Sequence, residues 1–92
     1  MAKNMPKGYA YLADQLKRAA VSSVCNLAEG NSKTSLKDRR RFFDISLGSI
    51  AEICACLDLL DSLDLDSFSS SSLILSLKKR YQSIYSMIFK LK

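Results

Sequence analysis

Two carboxylates, Glu29 and Glu52, come closest to a chemical constellation in this chain. Each follows a small polar residue by about one helical turn: Asn26 precedes Glu29, and Ser49 precedes Glu52. The stretches that carry them, AAVSSVCNLAEG at 19–30 and LGSIAE at 47–52, put small and polar residues where a simple helical bundle carries Leu. Such a pair has two readings. It could hold a metal or act as acid and base, or it could supply interior hydrogen bonds that fix helix register and the connection between two helices. The chain contains no His, the commonest general base and metal ligand. We therefore expect a structural polar core of Asn26, Glu29, Arg41, Ser49 and Glu52, with Glu29 accepting from loop amides or pairing with Arg41. Buried polar groups must be paired, or each costs on the order of 1–3 kcal/mol. No catalytic residue, metal site or cofactor is expected, and the chain is read as not an enzyme.

Cys25, Cys54 and Cys56 make an odd number without framework spacing. Two positions apart on a helix, Cys54 and Cys56 point to different sides and cannot chelate one ion. All three read as small buried hydrophobes in a reducing cytoplasm.

Charge is the third chemical signal. Residues 32–41 carry five bases and one acid, residues 42–67 carry six acids and no base, and residues 68–92 carry five bases and no acid. The whole chain has a formal net charge of +5. Three readings of these poles compete: solvated surface, phosphate contact with nucleic acid, and pairing between the basic and acidic segments of neighbouring subunits. The nucleic-acid candidates are Lys33, Lys37, Arg39, Arg40, Lys90 and Lys92. No base-reading motif accompanies them, so such binding would be phosphate-led and salt-sensitive. Tyr81 and Tyr85 lie near Lys78–Arg80, but their spacing fits a core stripe better than a stacking platform.

Three helices must position these residues, in one domain of 92 residues. The first is expected over about 8–29, after a polar leader whose Pro6 is a helix start signal. Its stripe is Tyr9, Leu12, Ala13, Leu16, Ala20, Val24 and Leu27, and Gly30 is expected to end it in the left-handed conformation. A polar loop at 30–35 follows, with Ser35 and Asp38 resembling a capping box. The second helix spans about 36–62. It carries two adjacent stripes, Phe43, Leu47, Ile50, Cys54 and Leu57 beside Phe42, Ile53, Cys56 and Leu60, and so has neighbours on two sides. Gly48 costs about 1 kcal/mol against Ala in a helix, which suggests close packing against Ala19, Ala20 or another subunit. A turn at 63–67 with Asp66 as N-cap leads to a third helix over about 67–91. Its face is Leu73, Leu77, Tyr81, Ile84, Tyr85, Ile88 and Leu91. The alternative is a turn that extends through the serine run, with the helix starting at Leu73. Short connections make the helices antiparallel, returning Lys90 and Lys92 to the Arg39–Arg41 end. No apolar run approaches the ~18–20 residues of a membrane span, no apolar leader marks a signal peptide, and a cytoplasmic protein is expected.

The blocks DQLKRAAVSSVCNLAEG and RRRFFDISLGSIAE resemble the bacterial four-helix-bundle family that includes proteins encoded in intervening sequences of large-subunit rRNA genes. Gln15, Leu16, Arg18, Ala19, Ala20, Ser22, Asn26, Ala28, Glu29 and Gly30 match its first block. Arg41, Phe42, Gly48, Ser49 and Glu52 match its second. The resemblance implies an all-α antiparallel four-helix bundle, a ring-like pentamer and no enzymatic activity. An accessory protein of diversity-generating retroelements is similar and works with a nucleic-acid-processing partner. Family members carry a helix before the first block, where only eight residues precede Tyr9 here. A bundle without that helix exposes an apolar groove. The expected function is a non-enzymatic homo-oligomeric module that binds nucleic acid through its basic pole as an accessory factor. The alternative is a purely structural or protein-interaction oligomer.

Overall fold

The computed structural model describes residues 8–62 and 68–92. The leader with Pro6 and the turn at 63–67 with Asp66 lie outside the described residues. Three helices make up the described chain: α1, Tyr9–Ser32; α2, Leu36–Ser62; and α3, Phe68–Leu91. The described residues contain no strand. Ser69–Ser72 lie within α3, so the helix does not wait for Leu73.

α2 is the middle helix and packs on both others, with α1 and α3 on either side of it. The molecule measures 49 × 21 × 15 Å. α1 and α3 pack on adjacent faces of α2 and leave a groove between them, so the three helices form a shallow, trough-shaped layer with α2 at its base. Both neighbours run antiparallel to α2. Ser22 meets Ser49 and Ser23 meets Ser46 on the α1 side. On the α3 side Lys78 meets Asp58 and Lys92 meets Asp44.

The two stripes of α2 are both used. Phe43, Leu47 and Ile50 join Ile88 in one cluster, and Ile53 and Leu57 join Ala19 in another. Tyr81 packs against both clusters. The outer helices use part of their expected stripes: Leu16, Ala20 and Leu27 of α1 and Tyr81 and Ile88 of α3 pack on the core. In α3 the residues turned to α2 are Ile74, Tyr81 and Ile88, and Leu73, Leu77, Ile84, Tyr85 and Leu91 are exposed. In α1 the buried positions are Ala19, Ser23 and Gly30, and Val24 is exposed. Each helix has turned so that small or well-spaced residues meet α2.

Gly30 corrects the expected helix end. It lies inside α1, which continues to Ser32, and its backbone is not left-handed; among the described glycines only Gly8 has a positive φ. A Cβ on Gly30 would stand 2.8 Å from the Phe43 ring and 3.1 Å from Cβ of Phe42. Gly30 is a notch that admits an aromatic ring. The loop shortens to residues 33–35. Of the expected capping box, the Asp38 backbone N–H donates to Ser35 Oγ at 3.3 Å. Gly48 also departs from expectation: it is exposed, and a Cβ there would meet nothing within 4 Å.

Candidate nucleic-acid interface

The basic residues converge at the end of the layer where α2 begins and α3 finishes. Arg40 Nε donates to the Lys92 main-chain oxygen at 3.1 Å, and Lys92 pairs with Asp44. This contact between residues far apart in sequence sets the tail of α3 beside the first turns of α2.

The six sequence candidates are not equivalent there. Lys33 pairs with Glu29 at 2.9 Å and lies over the Phe42 ring. Lys92 is matched by Asp44. The charges of these two are locally compensated. Arg39 donates to the Lys33 carbonyl at 3.3 Å and sits over the Phe43 ring. Arg40 meets a main-chain oxygen of Lys92 beside the Lys92–Asp44 pair, and Arg39 meets only a neutral mid-chain carbonyl. Lys37 and Lys90 are exposed and make no ion pair among the described residues. Arg41 belongs with them, because it is exposed over the Phe42 ring at 4.8 Å. Leu36, Lys37, Asp38, Arg40, Arg41 and Asp44 line an open depression on this end. Bases at the N-terminus of α2 oppose the helix dipole, and a bound anion would relieve that cost.

The expected polar core is only partly assembled. Asn26 Nδ2 donates to the Ser22 carbonyl at 2.8 Å and to Ser22 Oγ at 3.1 Å. Ser22 Oγ is 2.8 Å from Ser49 Oγ, which donates to the Ile45 carbonyl at 3.1 Å. Because that donation uses the Ser49 proton, Ser22 donates to Ser49, and the chain of bonds runs one way from α1 to α2. Glu29, Arg41 and Glu52 are exposed and stand outside it. Glu29 pairs with Lys33 rather than Arg41 because the i,i+4 partner lies on its own helix face.

Ser22, Ser23 and Ser46 of this seam stood outside the expected polar core. Ser46 is fully buried and donates to the Ser23 carbonyl at 2.8 Å, and Ser23 donates to the Ala20 carbonyl at 2.8 Å. The available signal was Ser46 falling between Phe43 and Ile50 on the buried stripe.

Cys25 is exposed, Cys54 half-buried and Cys56 buried, so the expected burial fails for Cys25. Burial pushes the Cys54 and Cys56 thiols above their ordinary range; the Lys78 charge partly offsets this at Cys54, and the Glu52 charge adds to it at Cys56. Among the described residues no three His, Cys, Asp or Glu side chains gather around a common point. No helix among them is long and apolar enough to cross a membrane.

A family model described as 23S rRNA-intervening sequence protein matches residues 1–90. No curated protein and no solved structure matches the chain. The chain belongs to the 23S rRNA-intervening sequence protein family.

Proposed function

We propose that this member of the 23S rRNA-intervening sequence protein family is a non-enzymatic, homo-oligomeric helical module that associates with nucleic acid as an accessory to a nucleic-acid-processing partner in the cytoplasm. The observation that carries the reading is the uncompensated charge at one end of the layer. Lys37, Arg39, Arg41 and Lys90 lie there without carboxylate partners among the described residues, with Arg40 beside them on the Lys92 main chain. Phosphates are the ligands such a cluster suits, since guanidinium groups bind them bidentately and nothing there reads a base edge. The completed assembly is proposed as a four-helix packing closed into a ring, with the pentamer taken from the family resemblance.

The test is polarisation binding of a labelled RNA and of a DNA of unrelated sequence at two salt concentrations. The triple variant Lys37→Ala, Arg39→Ala, Arg40→Ala is expected to weaken both similarly and to flatten the salt dependence by about 0.9 per lost phosphate contact. Wild-type affinity in the triple variant removes the basic end as the contact surface. The second reading, a protein-interaction oligomer without nucleic acid, is favoured by the exposed Leu73, Leu77, Ile84, Met87, Phe89 and Leu91 of α3.

A further inference from the structure

The layer has an unfilled side. Between α1 and α3 runs an apolar groove of 380 Å³, with Ala20, Val24 and Leu27 on one wall, Leu77 and Ile84 on the other, and Ile50 in the floor. The α3 wall belongs to a longer line. Leu73, Leu77, Arg80, Ile84, Met87 and Leu91 recur at alternating spacings of four and three, the repeat of a coiled-coil seam. The five apolar members are exposed, Met87 by 62 %, and Arg80 is the single charge, near the middle.

A second seam lies on the opposite side of α2. Ile45, Gly48, Glu52, Ala55 and Leu59 recur at alternating spacings of three and four, and all are exposed. At 3.6 residues per turn this line is centred about half a turn away from the buried Ser46, Ile53 and Leu57. Glu52 is its single charge, also in the middle. Among the described residues neither Glu52 nor Arg80 has an ion pair.

The two seams match in antiparallel register. With Glu52 set opposite Arg80, Gly48 meets Ile84, Ala55 meets Leu77, Ile45 meets Met87 and Leu59 meets Leu73. Small residues face large ones at each inner layer, and the one acid faces the one base. A lone charge in such a seam fixes register and partner. Gly48, exposed and costly within its own chain, acquires a reason: it is the hole for a branched side chain.

We infer that the groove is the docking site for the back of α2 from a second copy of this chain, held in register by Glu52 of one protomer and Arg80 of the next. The two surfaces lie on opposite sides of α2, so the contact is head-to-tail. The inference deepens the homo-oligomer reading above by naming its surfaces.

Sedimentation velocity of the full chain tests it, with far-UV circular dichroism confirming helicity. Wild-type protein is expected to be oligomeric at tens of micromolar. Glu52→Arg and Arg80→Glu, both at exposed positions, should each keep their helicity and raise the self-association Kd by about tenfold or more. The double variant, and an equimolar mixture of the two single variants, should reassociate. Gly48→Leu supplies a test without charge: it should fold at least as well as the wild type, since Leu is the better helix former, yet dissociate because it fills the hole for Ile84. Single variants or Gly48→Leu that assemble as the wild type does overturn the seam while leaving the homo-oligomer reading standing. A wild-type monomer overturns both.

Discussion

The two sides of α2 are built on different principles. Toward α1 the contact is small and interior. Gly30 admits the Phe43 ring, Ala19 meets Ile53, and a one-way chain of hydrogen bonds joins Asn26, Ser22 and Ser49. Toward α3 the contact is made by large, spaced side chains, Ile74, Tyr81 and Ile88, and its polar closures sit at the rim. Those closures are Lys78 with Asp58 at 2.6 Å, Lys92 with Asp44, and Arg40 with the Lys92 main-chain oxygen. Interior hydrogen bonds resist water and salt, whereas exposed ion pairs are screened. The α1–α2 hairpin is therefore the fixed unit, and α3 is clipped onto it near its middle and at its C-terminal end.

The sharpest way to break this comparison is at the notch. Gly30→Ala pushes a methyl into the buried Phe43 ring and should cost about 1–3 kcal/mol in urea unfolding. Gly48→Ala, also in a helix but facing open space within its own chain, should instead stabilise the unassembled chain by about 0.5–1 kcal/mol when measured at high dilution. Equal effects at the two glycines would mean that α1 and α2 are not closely apposed. Ser46→Ala removes the buried donor to the Ser23 carbonyl and should cost about 1 kcal/mol. Its effect should persist in 1 M salt.

The α3 side should respond to pH and salt instead. Its hydrogen bond and charge pairing with Asp58 hold the Lys78 ammonium above its ordinary value. A raised folded-state pKa gives stability that is complete below the unfolded value and lost as pH rises through the folded one. The thiols of half-buried Cys54 and buried Cys56 are shifted upward too and act in the same direction. Stability should thus decline from the ordinary thiol range upward. Asp58→Asn should reduce the part of that decline that high salt also removes. A flat alkaline profile would mean that the clip is not formed in solution.

The same contrast explains what could be read from the chain. Helix existence and the two-sided character of α2 followed from periodicity, and short connections brought Lys92 to Arg40. The glycine at 30 misled because a helix-ending glycine and a close-packing glycine look alike; only the Phe43 ring on the facing helix separates them. In α3, the line through Ile74, Tyr81 and Ile88 and the line through Leu73, Leu77, Ile84 and Leu91 are both apolar at helical spacing. The choice between them lies in the surface of α2. Glu29 and Glu52 were expected inside because their neighbours are small, yet one is satisfied by Lys33 and the other faces outward. At the basic end the residue types were legible. Which charges survive local pairing was not, since Glu29 and Asp44 reach Lys33 and Lys92 only in the folded chain.

The claim that the basic end contacts phosphates is tested most directly by the salt dependence of wild-type binding to an RNA and to an unrelated DNA duplex. With four uncompensated bases at that end, log K should fall against log salt with a slope of about −3 to −4, alike for both ligands. Absence of binding at low salt, or binding that salt does not weaken, would contradict the account.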